Sequence, residues 1–347
     1  MEPKTSETTT QSTNGGQPAD AKVAVQLCSL TLDPDPVHDI STLMPGWKIV
    51  WNGKPTIDDN YAFIAFNAAD KKYALVIRGS VFNGFQDWDT FANWILEDLN
   101  AITMVSWPYA NTKKPLIAVG AYIAFTNLLY MEDSLGSGKS IGDYLLANAT
   151  GSGKQLIITG HSLGGNIANV YTSYYVQKLK ENNLSTSNVS LFTFAAPAPG
   201  NIDFAVDLDN KLPSAWHYEN ENDMVPKFPV FSGLLYTSNT FFPKTPDAHK
   251  ITVTFNPKTI TLNGPSLTLH DAYVAIAGIF AKNGYVQPIK NNYITFKTDL
   301  NPDLTDNSIL DWLGQVAPQH GLDYYAGFLG VQLPVTAAQL TSAQAAI

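Results

Sequence analysis

The chain has 347 residues, 45% of them hydrophobic and 15% charged, and a formal net charge of -9 at pH 7. That length can bury one large core, and an acidic balance without any run of Lys or Arg argues against nucleic acid and anionic membranes as partners, while leaving neutral esters open. The single cysteine, Cys28, rules out an internal disulfide and reads as a small buried residue. Residues 1–22 are polar, rich in Thr, Gly, Ser and Gln, and lack the apolar core of an export signal. They read as a disordered tail, with residues 23–347 as one domain. The expectation is a secreted protein whose signal is absent from this chain, with a cytoplasmic one as the alternative.

Tyr61–Asn67 and Lys72–Ile77 are apolar runs split by Ala68-Ala69-Asp70-Lys71, which predicts a β-hairpin ending at Arg78-Gly79-Ser80. From Phe82 to Asn100 the chain is aromatic and acidic with helical spacing. A helix is expected over Pro115–Tyr130; the uncharged stretch Pro115–Met131 is short for a membrane span and holds Asn127. Ile141–Ala147 predicts another helix. Gln155–Thr159 reads as a buried strand, Asn166–Asn182 as a helix, and Ser190–Ala195 as a strand broken by Pro197 and Pro199. Asp203, Asp207 and Asp209 fall on a helix after Gly200, where a solvated face accounts for them. Ala215–Glu219 is a short strand leaving into the polar loop Asn220–Asp223. Ile251–Phe255 and Thr259–Leu262 predict a second hairpin, and helices are expected at Leu267–Ala281, Ser308–Val316 and Leu322–Leu329. Strands alternating with helices imply an α/β fold with a mostly parallel or mixed sheet flanked by helices.

Between the strand at Gln155 and the helix at Asn166 lies Gly160-His161-Ser162-Leu163-Gly164-Gly165. A G-x-S-x-G run between strand and helix is a nucleophile elbow: the turn is so tight that its flanks must be small, and it throws the Ser162 hydroxyl clear of the sheet. The helix N-terminus beneath favours developing negative charge. A serine hydroxyl is a poor nucleophile until a histidine takes its proton and a carboxylate orients that histidine. In such a fold the acid follows the serine, in a loop after a later strand. Asp223 fits, with Glu219 and Glu221 as close rivals.

Four blocks together resemble the class 3 lipases, the filamentous-fungal type of α/β-hydrolase: Ile77-Arg78-Gly79-Ser80, Gly160–Gly165, Phe194-Ala195-Ala196-Pro197-Ala198-Pro199-Gly200-Asn201, and Asn222-Asp223-Met224-Val225-Pro226. The resemblance covers about residues 60–230. It implies carboxylic ester hydrolysis, commonly of triacylglycerols at an oil–water interface, with a helical lid and no cofactor, metal or obligate protein partner. Carried over, Ser162 is the nucleophile, Asp223 the acid, and Ser80 and Leu163 the backbone donors of an oxyanion hole. A short-chain esterase or phospholipase A1 is the alternative within the class, and a non-catalytic binding protein of the same fold the remote one. The chain departs from the family pattern in three places. Asn93-Trp94 come later than usual after Ser80, the His-x-Gly-Phe block is degraded to Ala118-Val119-Gly120-Ala121, and the segment beyond the acid loop is extended.

Of six histidines, His38 precedes the elbow, His161 lies within it facing away from its neighbour Ser162, His217 is mid-strand, and His249 adjoins a strand start. His270 and His320 remain. His270 has the His-x-x-Tyr spacing of the compact fungal enzymes, but Ser266 as an N-cap would place it inside a regular helix. His320 sits in Ala317-Pro318-Gln319-His320-Gly321, a loop before the last helix, and with Tyr324-Tyr325 resembles the C-terminal block of longer bacterial relatives. His320 is the preferred base and His270 the alternative.

Phe82, Phe85, Trp88, Phe91 and Trp94 form an aromatic series beside Ser80. It reads either as core packing or as an amphipathic lid over residues 81–99, wet on the face of Asp87, Asp89, Glu97 and Asp98. Gly136–Ser140 and Gly151–Lys154 invite a phosphate-loop reading. The first has Asp133 where the pattern needs glycine. The second has Asn148 there and Gln155 in place of the magnesium-binding hydroxyl, so both read as plain loops.

Overall fold

In the computed structural model the described residues are 18–79, 100–240, 250–255, 258–263, 268–304 and 309–334. Ser80, the aromatic series Phe82–Trp94, His249 and Ser266 lie outside them.

The tail expected through Lys22 gives way earlier: α1 spans Ala19–Ser29 and α2 spans Pro36–Leu43. Then come β1 (Trp47–Asn52), β2 (Ala62–Asn67) and β3 (Lys72–Ile77), the last two forming the predicted hairpin. The expected helix at Pro115 is shorter. Leu116–Ala118 is β5, paired with β4 (Met104–Ser106), and α3 begins at Val119 and ends at Tyr130. Proline favours extended backbone just before itself, and the Asn201 side chain accepts the Leu116 N–H, so the stretch enters as a strand. After α4 (Ile141–Asn148) come β6 (Gln155–His161), α5 (Leu163–Glu181) and β7 (Val189–Phe194). The short β8 (Gly200–Asn201), α6 (Ile202–Lys211), β9 (Ala215–Asn220) and α7 (Phe231–Thr240) follow. The hairpin β10 (Lys250–Phe255) and β11 (Lys258–Asn263) is followed by α8 (Leu269–Phe280), β12 (Tyr285–Val286), β13 (Asn292–Phe296), α9 (Ile309–Gln319) and α10 (Leu322–Phe328).

The main sheet is mixed, with seven strands in the order β1-β2-β3-β6-β7-β9-β13. Pairing is parallel from β3 through β13. The registers Ile77↔Gly160, His161↔Phe194, Phe194↔Tyr218 and Asn220↔Phe296 align the carboxyl ends of these strands along one edge. In such sheets the loops leaving that edge build the site. β6 is buried from Leu156 to Gly160, as a strand covered on both faces must be. Alternation divides its side chains: Leu156 and Ile158 pack with α3 and α5, while Ile157 packs with Ala24, Val25 and Leu27 of α1 and Tyr325 of α10. Cys28 is buried beside Thr159, as expected.

Asp207 and Asp209 do not face solvent. Both are buried, because α6 is covered by neighbours on both flanks. Asp207 accepts the Asn111 N–H and pairs with buried Lys211, and Asp209 accepts the Lys290 N–H. Gly136–Ser140 is a loop, while Gly151 and Ser152 lie in a short 3-10 turn, Thr150–Ser152; Gly136, Gly138 and Gly153 have positive φ. Among the described residues no helix is long and apolar enough to cross a membrane.

Candidate active site

Ser162 lies between β6 and α5 with φ 58° and ψ -131°, a conformation that costs a non-glycine residue about 1–3 kcal/mol. The surroundings impose it. A Cβ on Gly160 would lie 2.3 Å from the Gly164 carbonyl, and one on Gly164 would lie 2.2 Å from the Ile77 carbonyl oxygen. Strand, turn and the end of β3 touch backbone to backbone, which only glycine permits. The Ser162 N–H is held by the Phe194 carbonyl at 2.9 Å. Leu163 opens α5, so its N–H belongs to the first turn, where no intrahelical acceptor exists. Gly79 brings the end of β3 against the elbow: a Cβ there would meet the His161 carbonyl at 2.7 Å.

Asp223 stands where the loop after β9 turns back, fully buried. Its own N–H bonds to the Asn220 carbonyl, and Oδ1 accepts the Val225 N–H at 2.9 Å. Of the rivals, Glu219 is engaged elsewhere: it pairs with Lys227 and accepts the Tyr293 hydroxyl.

His320 follows α9 directly. This helix runs three residues beyond the expected Val316, carrying Pro318 in its last turn. Tertiary bonds hold that turn: the Asn220 side-chain amide donates to both the backbone and the side-chain oxygen of Gln319. The loop is thus reduced to His320 and Gly321. His320 Nδ1 donates to Asp223 Oδ2 at 2.9 Å, and Nε2 accepts the Ser162 hydroxyl at 2.8 Å. Of the two candidate histidines it is His320 that meets the serine. His270 lies in the first turn of α8, whose N-cap is Thr268 in a capping box with Asp271, and its Nδ1 bonds the Ser238 carbonyl at 3.4 Å.

A model of the lipase (class 3) family matches residues 49–233, more than half of the chain. The chain belongs to the class 3 lipase family. It is similar to the solved structure of M37 lipase, with 19% identity, a TM-score of 0.64, and 88% of this chain and 90% of that one covered. The Rhizomucor miehei lipase in its propeptide complex is 22% identical with a TM-score of 0.45, covering 75% of this chain and 74% of the other. No curated protein sequence matches significantly. The likeness to M37 lipase shows the α/β-hydrolase-type fold, and the family assignment makes the chain a lipase-type ester hydrolase.

The contacts of two residues of this lipase escaped the sequence reading. The Nε2–H of His161 donates to the His320 carbonyl at 2.9 Å, and the two rings lie 4.7 Å apart. Desolvation, aided by the nearby His320 ring, pushes its pKa down to about 3, so it stays neutral beside the base. Tyr325, fully buried in α10, donates its hydroxyl to Asp223 Oδ2 at 2.7 Å. Neither carries a local signal, since each acts on a partner far away in the chain. Among the described residues no group of His, Cys, Asp and Glu forms that could hold a metal ion.

Proposed function

We propose that this lipase hydrolyses carboxylic esters through an acyl-enzyme, with Ser162 as nucleophile, His320 as general base and acid, and Asp223 as the carboxylate that orients it. The observation carrying the reading is the unbroken chain Ser162–His320–Asp223, at 2.8 and 2.9 Å. Its geometry dictates the steps. His320 Nε2 takes the hydroxyl proton as Oγ attacks the ester carbonyl, and returns it to the leaving alcohol. A water then repeats the cycle on the acyl-enzyme. Asp223, keeping Nδ1 protonated, holds Nε2 as the acceptor and stabilises the imidazolium. The tetrahedral oxyanion takes the Leu163 N–H at the helix N-terminus and the Ser80 N–H, each such donor being worth about 3 kcal/mol. The aromatic sequence of residues 81–99, which lie outside the described residues, supports reading that stretch as a lid, and with it triacylglycerol at an oil–water interface as the favoured substrate and secretion as the favoured setting.

The test is a series of p-nitrophenyl esters and emulsified triglycerides of increasing chain length, assayed with wild type and Ser162→Ala. Ser162→Ala is expected to lose at least about ten-thousandfold in kcat on every substrate. Wild-type activity is expected to rise sharply once droplets form. Retention of activity within tenfold in Ser162→Ala would remove the nucleophile assignment. A smooth saturation curve through the solubility limit would make the protein a short-chain esterase instead.

A further inference from the structure

The Asp223 carboxylate holds more donors than orienting a histidine requires. Oδ1 accepts the Val225 N–H, while Oδ2 accepts both His320 Nδ1–H at 2.9 Å and the Tyr325 hydroxyl at 2.7 Å. The Tyr325 oxygen in turn accepts the Asn220 N–H at 3.2 Å, which leaves its own proton aimed at the carboxylate. The ring is wedged edge-on between Phe194 and Phe296, at 6.3 and 5.1 Å between centroids, and meets the His161 ring at 6.1 Å. The hydroxyl therefore has one orientation. Burial and the adjacent Asp223 charge push the phenol pKa far above its ordinary value, so it remains a donor at any working pH. Tyr325 lies well outside the stretch matched by the family, residues 49–233.

We propose that Tyr325 is a positioning residue for ester hydrolysis: its hydroxyl fixes the plane of the Asp223 carboxylate toward His320 and draws part of that charge away from the imidazole. The proposal rests on the reading of Ser162, His320 and Asp223 as the catalytic chain. Two consequences follow from sharing one oxygen. Without the hydroxyl, the carboxylate is free to rotate out of the plane that serves His320, so kcat falls. The charge once divided between two donors then acts on His320 alone, which moves the acid limb of the pH–rate profile to higher pH. The other groups facing this centre do not compete. His161 on β6 stays neutral, Glu219 on β9 is matched by Lys227, and half-buried Tyr293 on β13 donates to Glu219.

Tyr325→Phe keeps the ring and removes only the oxygen, so the experiment is a kcat, KM and pH profile of that variant in the full chain, with a melting curve as the folding control. Expected are a loss in kcat of about tenfold, as for a hydrogen bond to a charged group, a KM within about twofold, and an acid limb raised by about half a unit. In an Asp223→Asn background the same change should add less than about twofold, because the charge it serves is gone. An unchanged kcat and pH profile overturns the proposal, as does an equal loss in both backgrounds. The reading beneath fails separately: Asp223→Asn with near wild-type turnover would remove the acid itself, whatever Tyr325→Phe does.

Discussion

Ser162 and His320 meet at 2.8 Å, and the chain brings them there by opposite means. The serine is placed by its own neighbours in sequence. Gly160 and Gly164 let β6 and α5 close on each other, and the backbone of the turn is forced to φ 58°. The histidine is placed by residues distant in sequence. Asn220 grips the end of α9, His161 donates to the His320 carbonyl, and Asp223 holds the far side. Even α1 contributes, since α10 packs with it and the Gln26 amide donates to the Gln332 carbonyl. Local geometry thus positions the atom that forms the bond, and long-range packing positions the one that moves the proton.

The comparison is broken most severely at the histidine. His320→Ala is expected to cost about ten-thousandfold in kcat with the fold intact, while His270→Ala, at a helix start beside the Ser238 carbonyl, is expected to stay within about twofold. Steady-state hydrolysis of a soluble ester by both variants decides it. The reverse outcome would make the 309–334 segment an appendage and return the base to α8.

The next largest effect concerns the serine side, where backbone alone is at stake. In Gly164→Ala the new Cβ would lie 2.2 Å from the Ile77 carbonyl oxygen and within 2.8 Å of the Gly79 nitrogen, so β3 or the elbow must shift. A loss of at least about 3 kcal/mol of stability is expected, of the size reserved for strain at special positions. Gly278→Ala, on the exposed face of α8 with open space around it, should instead gain about 0.5–1 kcal/mol. Urea denaturation of the two variants gives both numbers. Equal, small effects would mean that the elbow yields to a methyl group and that local geometry does not place the serine.

The same contrast explains what was legible. The elbow, the predicted hairpin at β2 and β3, and the strands β6, β7 and β9 carry their reasons in a few adjacent residues: small flanks, apolar runs, proline and glycine breaks. Asp223 was legible because a polar loop after a strand is also local. β13 was not. It is a largely half-exposed edge strand, Asn292–Phe296, with neither an apolar run nor a clear alternation. α1 starts within a polar segment and becomes helical against the sheet, where Ala21, Ala24, Val25 and Leu27 are buried. Asp207 and Asp209 read as solvated because charge usually is, and only the partners Lys211 and Lys290 reveal otherwise. Tyr325 and His161 belong to the same class: their meaning lies entirely in residues more than a hundred positions away.

The smallest expected effect on turnover belongs to the strand that joins the two sides. β9 delivers the acid loop, and His217 lies buried in it with Nδ1 bonded to the Thr193 hydroxyl at 2.7 Å. Burial pushes its pKa down to about 3, against about 6.5 for an unfolded chain. Between those values the unfolded chain binds a proton that the native protein refuses. The associated stability is therefore complete above about pH 6.5 and is lost as pH falls toward 3, at up to about 1.4 kcal/mol per pH unit. His217→Gln removes that titration while keeping a polar group against Thr193. The variant should be the less stable at pH 7, and the gap to wild type should narrow steadily as denaturation is repeated at pH 6, 5 and 4. Turnover at pH 7 should change little, because β9 presents Asp223 through its backbone and not through this ring. Parallel stability curves over that range would show that the imidazole is already protonated in the native sheet. The acid strand would then owe its place to a buried charge rather than to close neutral packing.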